Sequence, residues 1–403
     1  MDPQKSRQVK KIKLAIFWPT NEKWTFGNVY LKDLLTIIGK HLTEQIELFF
    51  FVYDEKPVLP EISELEHVKI IILQCPNFKN ALLKKIFSFG YLRDIITKIQ
   101  IRKALEHYEI DVLFGPGLDI KYTKAMIMSW LPDFQHIHLP EMFSDNEKGS
   151  RERLFKSSAR HSSRVILMSN AVKEDFNQFA PDLINKVRLF PPTCNIPDEI
   201  YHNDTKKILE TYNLPEKFFF LPNQFWKHKN HGMVLKSVKE LNRNGVKVTL
   251  VCAGNPFDYR HPTYIAQLFL LVSQWNIRDQ FIYIGLIPRT HVLELMRQSI
   301  CVLNPSLFEG YGYTVDEANS IGKKLLISDI PSHREQKPAK AVFFDPYNIE
   351  DLTSKMATIW LNTLPGPDTE LERAAMMAYP IKLEKNGQIF LSILQEALDE
   401  RKR

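Results

Sequence analysis

ICVLNPSLFEGYGYTVDEANSIGKKLLIS, residues 300–328, holds an apolar run, a glycine-containing turn, a polar helix-like run and a second apolar run, in that order. ICVLNPS reads as a strand, LFEGYGY as a loop, TVDEANSIG as a helix stopped by Gly322, and KLLIS as the next strand. A strand–helix–strand corner of this kind is the building unit of a parallel α/β sheet. Two acids stand in it. Glu317 lies three residues after Thr314, a spacing that fits a capping box and gives this glutamate a local structural role. Glu309 has no such role. It sits in the loop beside Gly310 and Gly312, which let backbone N–H groups approach a ligand closely. The helix start that follows adds a positive dipole end, and a carboxylate beside it accepts the vicinal hydroxyls of a sugar well.

Working outward, the same alternation covers the chain. Strand candidates in the first half are residues 13–19, 46–53, 68–74, 111–117, 125–130, 164–170 and 187–191. Several are apolar throughout, as strands covered on both faces should be. After FPPTCNIPDEIYHNDTKK (190–207), which reads as a linker, the pattern restarts with 218–224, 246–254, 281–286, 300–306, 324–328 and 342–346. The reading is two Rossmann-like domains facing across a cleft, 1–195 and 208–380, an arrangement that suits a nucleotide or sugar-phosphate ligand. Pro380 should end or kink a helix in the tail, and the helix at about 383–403 should pack back on the first domain.

A length of 403 residues suits two domains. The 44% hydrophobic and 25% charged residues are ordinary for a globular chain, and a net charge of +6 suits an anionic ligand or membrane surface without requiring either. It is far from the basicity of a nucleic-acid binder. Cys75, Cys194, Cys252 and Cys301 stand apart, so no CxxC or zinc spacing exists, and Cys252 and Cys301 read as buried strand residues. No apolar run approaches the ~20 residues of a spanning helix. The N-terminal MDPQKSRQVKKIKLAIFWP reads as a short basic tail entering the first strand. These features lead to the expectation of a cytoplasmic protein. Residues 79–105, basic and apolar together, suit a peripheral contact on the inner membrane face or the basic outer side of an ordinary helix.

A second polar group follows the strand at 218. LPNQFWKHKNH (221–231) carries Asn223, Gln224, Lys227, His228, Lys229 and His231. Basic residues at the end of the first strand of a nucleotide-type domain suit a diphosphate.

Here the chain resembles a known family. FEGYGYTVDEANSIGKKLLISDIPSHRE is similar to the Glu-x7-Glu signature of retaining glycosyltransferases of family 4, which have the GT-B fold. Lys229-Asn230, VTLVCAG, FIYIGLI, IPSHRE and FFDP follow the family order over about 218–350. GNVYLKDLL, DFQHIHLPEMFS and ILMSNAVKEDF match the first domain more loosely. The resemblance implies that Glu309 contacts the transferred sugar, Glu317 the ribose hydroxyls and Lys229 the diphosphate, with Gly310, Tyr311 and Gly312 close to both. Two departures stand out. The family Arg five or six residues before the Lys is replaced by Gln224 or Asn223, leaving Lys227, His228 or an amide to complete the clamp. Where many relatives read His-Asp, this chain reads Pro132-Asp133, leaving Asp133, His136 or His138 for the acceptor side. His136 reads equally well as a structural histidine.

Together these readings assign Glu309, Lys229, Asp133 and His136 to catalysis. Glu309, Gly310, Tyr311, Gly312, Glu317, Asn223, Gln224, Lys227 and Lys229 are assigned to the donor, and Gly27, Asn28 and His138 to the acceptor. The implied reaction is transfer of a hexose from a nucleotide sugar to a hydroxyl of a glycan or lipid-linked glycan in polysaccharide or glycoconjugate synthesis. No cofactor, metal or nucleic acid is expected, and no DxD pair occurs. The alternative is a non-catalytic carbohydrate- or nucleotide-binding protein that has kept the fold.

Overall fold

The computed structural model describes residues 10–18, 25–53, 67–73 and 90–401. The basic tail (1–9), residues 19–24 of the expected acceptor loop, Cys75 and residues 79–89 of the basic apolar stretch lie outside them. The first sheet has seven strands: β1 (Ile12–Phe17), β2 (Ile46–Tyr53), β3 (Val68–Leu73), β4 (Val112–Pro116), β5 (Met126–Trp130), β6 (Arg164–Leu167) and β7 (Val187–Leu189). The second has six: β8 (Phe219–Leu221), β9 (Leu250–Cys252), β10 (Phe281–Tyr283), β11 (Cys301–Asn304), β12 (Leu325–Ser328) and β13 (Ala341–Phe344). Every strand candidate read from the sequence is therefore a strand. The helices that build the site are α1 (Thr25–His41), α2 (Gln135–His138), α3 (Asp145–His161), α4 (Asn170–Phe179), α5 (His231–Arg243), α6 (Arg289–Gln298), α7 (Tyr313–Ser320), α8 (Pro331–Gln336) and α9 (Thr369–Arg401).

All pairings are parallel, in the orders β3-β2-β1-β4-β5-β6-β7 and β10-β9-β8-β11-β12-β13. Both are doubly wound, with the winding direction reversing between β1 and β4 and between β8 and β11. At such a reversal the connections leave in opposite directions and open a crevice beyond the strand ends, where ligands bind. These two Rossmann-like units form a GT-B fold. Cys252 and Cys301 are buried on β9 and β11, as their apolar runs suggest.

Two expectations need correction. The 190–207 stretch is not a free linker: Cys194, Ile196, Ile200 and Tyr201 are buried in the second core. Residues 191–197 form neither helix nor strand, and the helix that follows them, Glu199–His202, has only four residues, which accounts for the poor periodicity. Pro380 does not end its helix, since α9 runs unbroken from Thr369 to Arg401. Proline inside a helix costs about 3 kcal/mol, and tertiary contacts on both sides offset it. Ahead of it, Glu372 pairs with both Arg297 Nε and Nη2 at 2.9 and 2.8 Å. Beyond it, Leu383, Phe390 and Leu394 enter the core of the first domain. One helix thus ties the two sheets together.

Candidate functional site

Glu309 follows β11 and Lys229 follows β8, so both stand at the winding reversal of the second sheet. Lys229 Nζ lies 2.5 Å from Glu309 Oε1, and the Ser306 hydroxyl lies 2.6 Å from the same oxygen. Burial alone would push the Glu309 carboxyl up. The positive charge of Lys229, the neighbouring His333 and these hydrogen bonds outweigh it and hold the carboxyl below its ordinary range. His333 lies fully buried on α8, with Nδ1 2.9 Å from the Ser328 carbonyl and Nε2 without a partner among the described residues. Burial lowers its pKa to about 4, so the ring is neutral at pH 7.

The turn after Glu309 is shaped by its glycines. Gly312 has φ +89°, and a Cβ there would lie 2.9 Å from His333 Cδ2. A Cβ on Gly310 would lie 2.5 Å from the Pro132 carbonyl oxygen and 2.9 Å from Asp133 Cβ, both in the first domain. The Gly310 carbonyl accepts 2.6 Å from Ser169 Oγ, and Tyr311 is buried in the first core. The loop is therefore docked across the cleft. Glu335 of α8 reinforces the docking by accepting from Asn170 N at 2.8 Å and Ala171 N at 3.2 Å, the open end of α4.

The expected Thr314–Glu317 capping box is absent. α7 begins at Tyr313 with Gly312 as N-cap and no side-chain cap, because the left-handed glycine turn starts the helix two residues earlier than a Thr314 cap would. The Thr314 hydroxyl instead donates 3.0 Å to Asn223 Oδ1. Glu317 points at Arg289, whose Nε lies 3.1 Å from Glu317 Oε1. Arg289 also lies 3.5 Å from Asp33 Oδ1 of α1 and 3.1 Å from the Tyr313 hydroxyl. Sequence reasoning missed both Arg289 and Asp33. The one available signal for Arg289 was its position at the first turn of a helix, just beyond a β-strand's carboxyl end. Asp33 is almost fully buried, and desolvation raises its pKa to about 7 against the pull of Arg289.

The remaining predicted residues divide. Asn223 is buried and spans β8, β11 and α7 through Asn304 and Thr314. Gln224 accepts from Trp226 Nε1 at 2.7 Å, and Lys227 has its backbone N–H on Asp258 and its side chain exposed. Among these, Lys229 is the group brought to Glu309. Of the residues expected to serve an acceptor or the reacting sugar, Asp133 Oδ1 accepts from Arg151 at 2.7 Å and from the Gln135 N–H at 3.0 Å. His136 is buried with neither ring nitrogen partnered among the described residues, and burial lowers its pKa. His138 pairs with Asp175 at 2.7 Å and stacks on Phe308 of the second domain at 4.7 Å. Gly27 and Asn28 lie in the first turn of α1, beside Phe26, whose ring meets Tyr313 edge-on at 5.7 Å. Among the described residues, no three His, Cys, Asp or Glu side chains gather into a metal-holding group, and no helix is long and apolar enough to cross a membrane.

Residues 204–377, the second sheet and its helices, match the family model described as glycosyl transferases group 1. The chain is 21% identical over 218 residues to the O-antigen chain mannosyltransferase RfbU of Salmonella typhimurium, an alignment covering 53% of this chain and 55% of that one. It thus spans about half the length of that curated relative. In fold it resembles a glycosyltransferase from Rickettsia africae, with a TM-score of 0.65 and 15% identity over 97% of this chain and 98% of the other. It also resembles Anabaena Alr3699/HepE, solved with UDP and glucose, with a TM-score of 0.64 and 14% identity over 96% and 98%.

Proposed function

We propose that the protein is a retaining glycosyltransferase of family 4 that moves a hexose from a nucleoside-diphosphate sugar to a hydroxyl of a glycan or lipid-linked glycan. The observation that carries the reading is the Glu309–Lys229 pair at the β8/β11 reversal of a GT-B fold. Lys229 and the start of α7 would neutralise the leaving diphosphate, and Glu309 would hold the sugar hydroxyls. Glu317, released from Arg289, would take the ribose. The acceptor hydroxyl would attack the anomeric carbon from the face that the diphosphate leaves, passing its proton to a departing phosphate oxygen, so the anomeric configuration is kept. The protein's contribution is then to hold donor and acceptor in register. Asp133, facing Gly310 across the cleft, and His136 are the side chains proposed for the reacting sugar and acceptor. We further propose a role in surface polysaccharide or glycoconjugate synthesis at the inner membrane face. The alignment with a mannosyltransferase and the fold shared with a UDP- and glucose-binding structure support the donor class.

The test is incubation with a panel of nucleoside-diphosphate hexoses, reading donor hydrolysis and transfer, for wild type and Glu309→Ala. Turnover with at least one donor that Glu309→Ala abolishes is the expected result. No binding or turnover of any donor by wild type would sink the reading in favour of a non-catalytic binding protein.

A further inference from the structure

Arg260 lies in the loop after β9 and belongs to neither group of residues read from the sequence. Its guanidinium is held between two aromatic rings, 4.2 Å from the centroid of Phe143 in the first domain and 4.5 Å from that of Trp226 in the second. No carboxylate forms an ion pair with it among the described residues. Its one side-chain hydrogen bond, 3.3 Å, goes to the neutral amide oxygen of Gln135 across the cleft, and its Nε is buried without a partner.

The two carboxylates that act on its charge are committed elsewhere. Asp258 accepts from the backbone N–H groups of Arg260 and Lys227 at 2.9 and 3.1 Å. Glu147 accepts from the Tyr259 hydroxyl at 2.8 Å and the Ser144 hydroxyl at 2.9 Å. A second cation, Arg151, lies 5.6 Å from the same Phe143 ring and is neutralised by Asp133. The fold therefore brings two guanidiniums to one ring at the domain junction and supplies an anion for one of them.

A partly desolvated guanidinium without an anion is costly, and stacking on aromatic faces recovers only about 1–2 kcal/mol. The same stacking holds the planar fork in one orientation, which suits bidentate recognition of a phosphate. We infer that Arg260 receives a phosphoryl group bound in the cleft. The phosphoryl group can come from the diphosphate of a nucleotide donor or from a phosphate-bearing acceptor. The first source rests on the proposed function above; the second does not.

The experiment is calorimetric titration of wild type, Arg260→Gln, Arg260→Lys and Tyr259→Phe with UDP, sodium pyrophosphate and dodecyl phosphate at low ionic strength. Circular dichroism checks that each variant is folded. Loss of the charge-assisted fork should weaken binding about tenfold or more in Arg260→Gln. Arg260→Lys keeps the charge but not the fork and should fall between it and wild type. Tyr259→Phe breaks only the contact to Glu147 and should bind as wild type does. A loss confined to UDP and pyrophosphate assigns the site to the donor, and one confined to dodecyl phosphate assigns it to the acceptor. Equal affinities in wild type and both Arg260 variants, or no binding of any probe by wild type, overturn the inference. Donor turnover and its loss in Glu309→Ala are read separately, so failure here leaves the proposed function standing or falling on its own test.

Discussion

The Lys229–Glu309 pair can be separated into what it does for stability and what it does for a ligand. Its ammonium and carboxylate lie 2.5 Å apart, with 19% and 11% of their side chains exposed. With the charge centres about 4 Å apart, the attraction is about 4 kcal/mol at an effective dielectric constant near 20. Removing one partner leaves the other charge buried and uncompensated, which typically costs about 3–5 kcal/mol. Lys229→Met and Glu309→Gln should each therefore lower the melting temperature, at roughly 2–4 °C per kcal/mol for a domain of this size, or about 10 °C. The double variant buries no net charge. Its stability should return to within about 1 kcal/mol of wild type, because desolvation of the pair cancels most of its attraction. Donor turnover should nonetheless be lost in all three variants, since both groups are proposed to meet the donor. Thermal melts followed by circular dichroism, paired with donor hydrolysis, read both quantities. If the double variant is as unstable as the two losses added together, the two groups are not energetically coupled and the reasoning from an uncompensated buried charge is refuted. If it keeps turnover, the assignment of the site is wrong.

Three further outcomes follow from the geometry. Gly310→Ala puts a methyl group 2.5 Å from the Pro132 carbonyl oxygen. It should cut transfer by about a hundredfold through misplacement across the cleft with little change in donor affinity; a variant with wild-type turnover would show that the loop does not need this approach. The Asp33 carboxyl, raised to about 7 from about 4 when unfolded, stays protonated when folded while the unfolded chain ionises. Its stabilisation is thus present below pH 4 and lost as pH rises through 7, by up to about 4 kcal/mol. Asp33→Asn should remove that slope from urea midpoints compared at pH 5 and 8, and identical slopes in the two proteins would count against the assigned ionisation. For His333, lowered to about 4, the sign is opposite: its stabilisation is present above pH 6.5 and lost as pH falls through 4, by roughly 3 kcal/mol. His333→Asn, which keeps a donor for the Ser328 carbonyl, should lose less stability than wild type between pH 7 and 4.5, and an equal loss would refute it.

The strands were legible because a β-strand covered on both faces is apolar along most of its length, and the thirteen short runs are rich in apolar residues, several of them throughout. Their alternation with helical patterns was enough for the doubly wound order, since parallel strands need helical crossovers. Glu309 and Lys229 were legible for a related reason: each follows a strand end, where the chain leaves the sheet and a polar group has no packing role. Chain order could not reveal partners separated by tens or hundreds of residues. Arg289 meets Glu317 and Asp33, and Arg260 sits between Phe143 and Trp226, only because two sheets and their loops close on one another. Even the local rule of the capping box gave way at Thr314, where a left-handed Gly312 docked against His333 and Gln336 starts the helix earlier. Pro380 is carried through α9 by contacts on both sides of it. Apolar periodicity is a property of each segment and is therefore written in the chain. The charge, protonation and pairing of the cleft residues depend on what the opposite domain places beside them, and only the folded arrangement decides that.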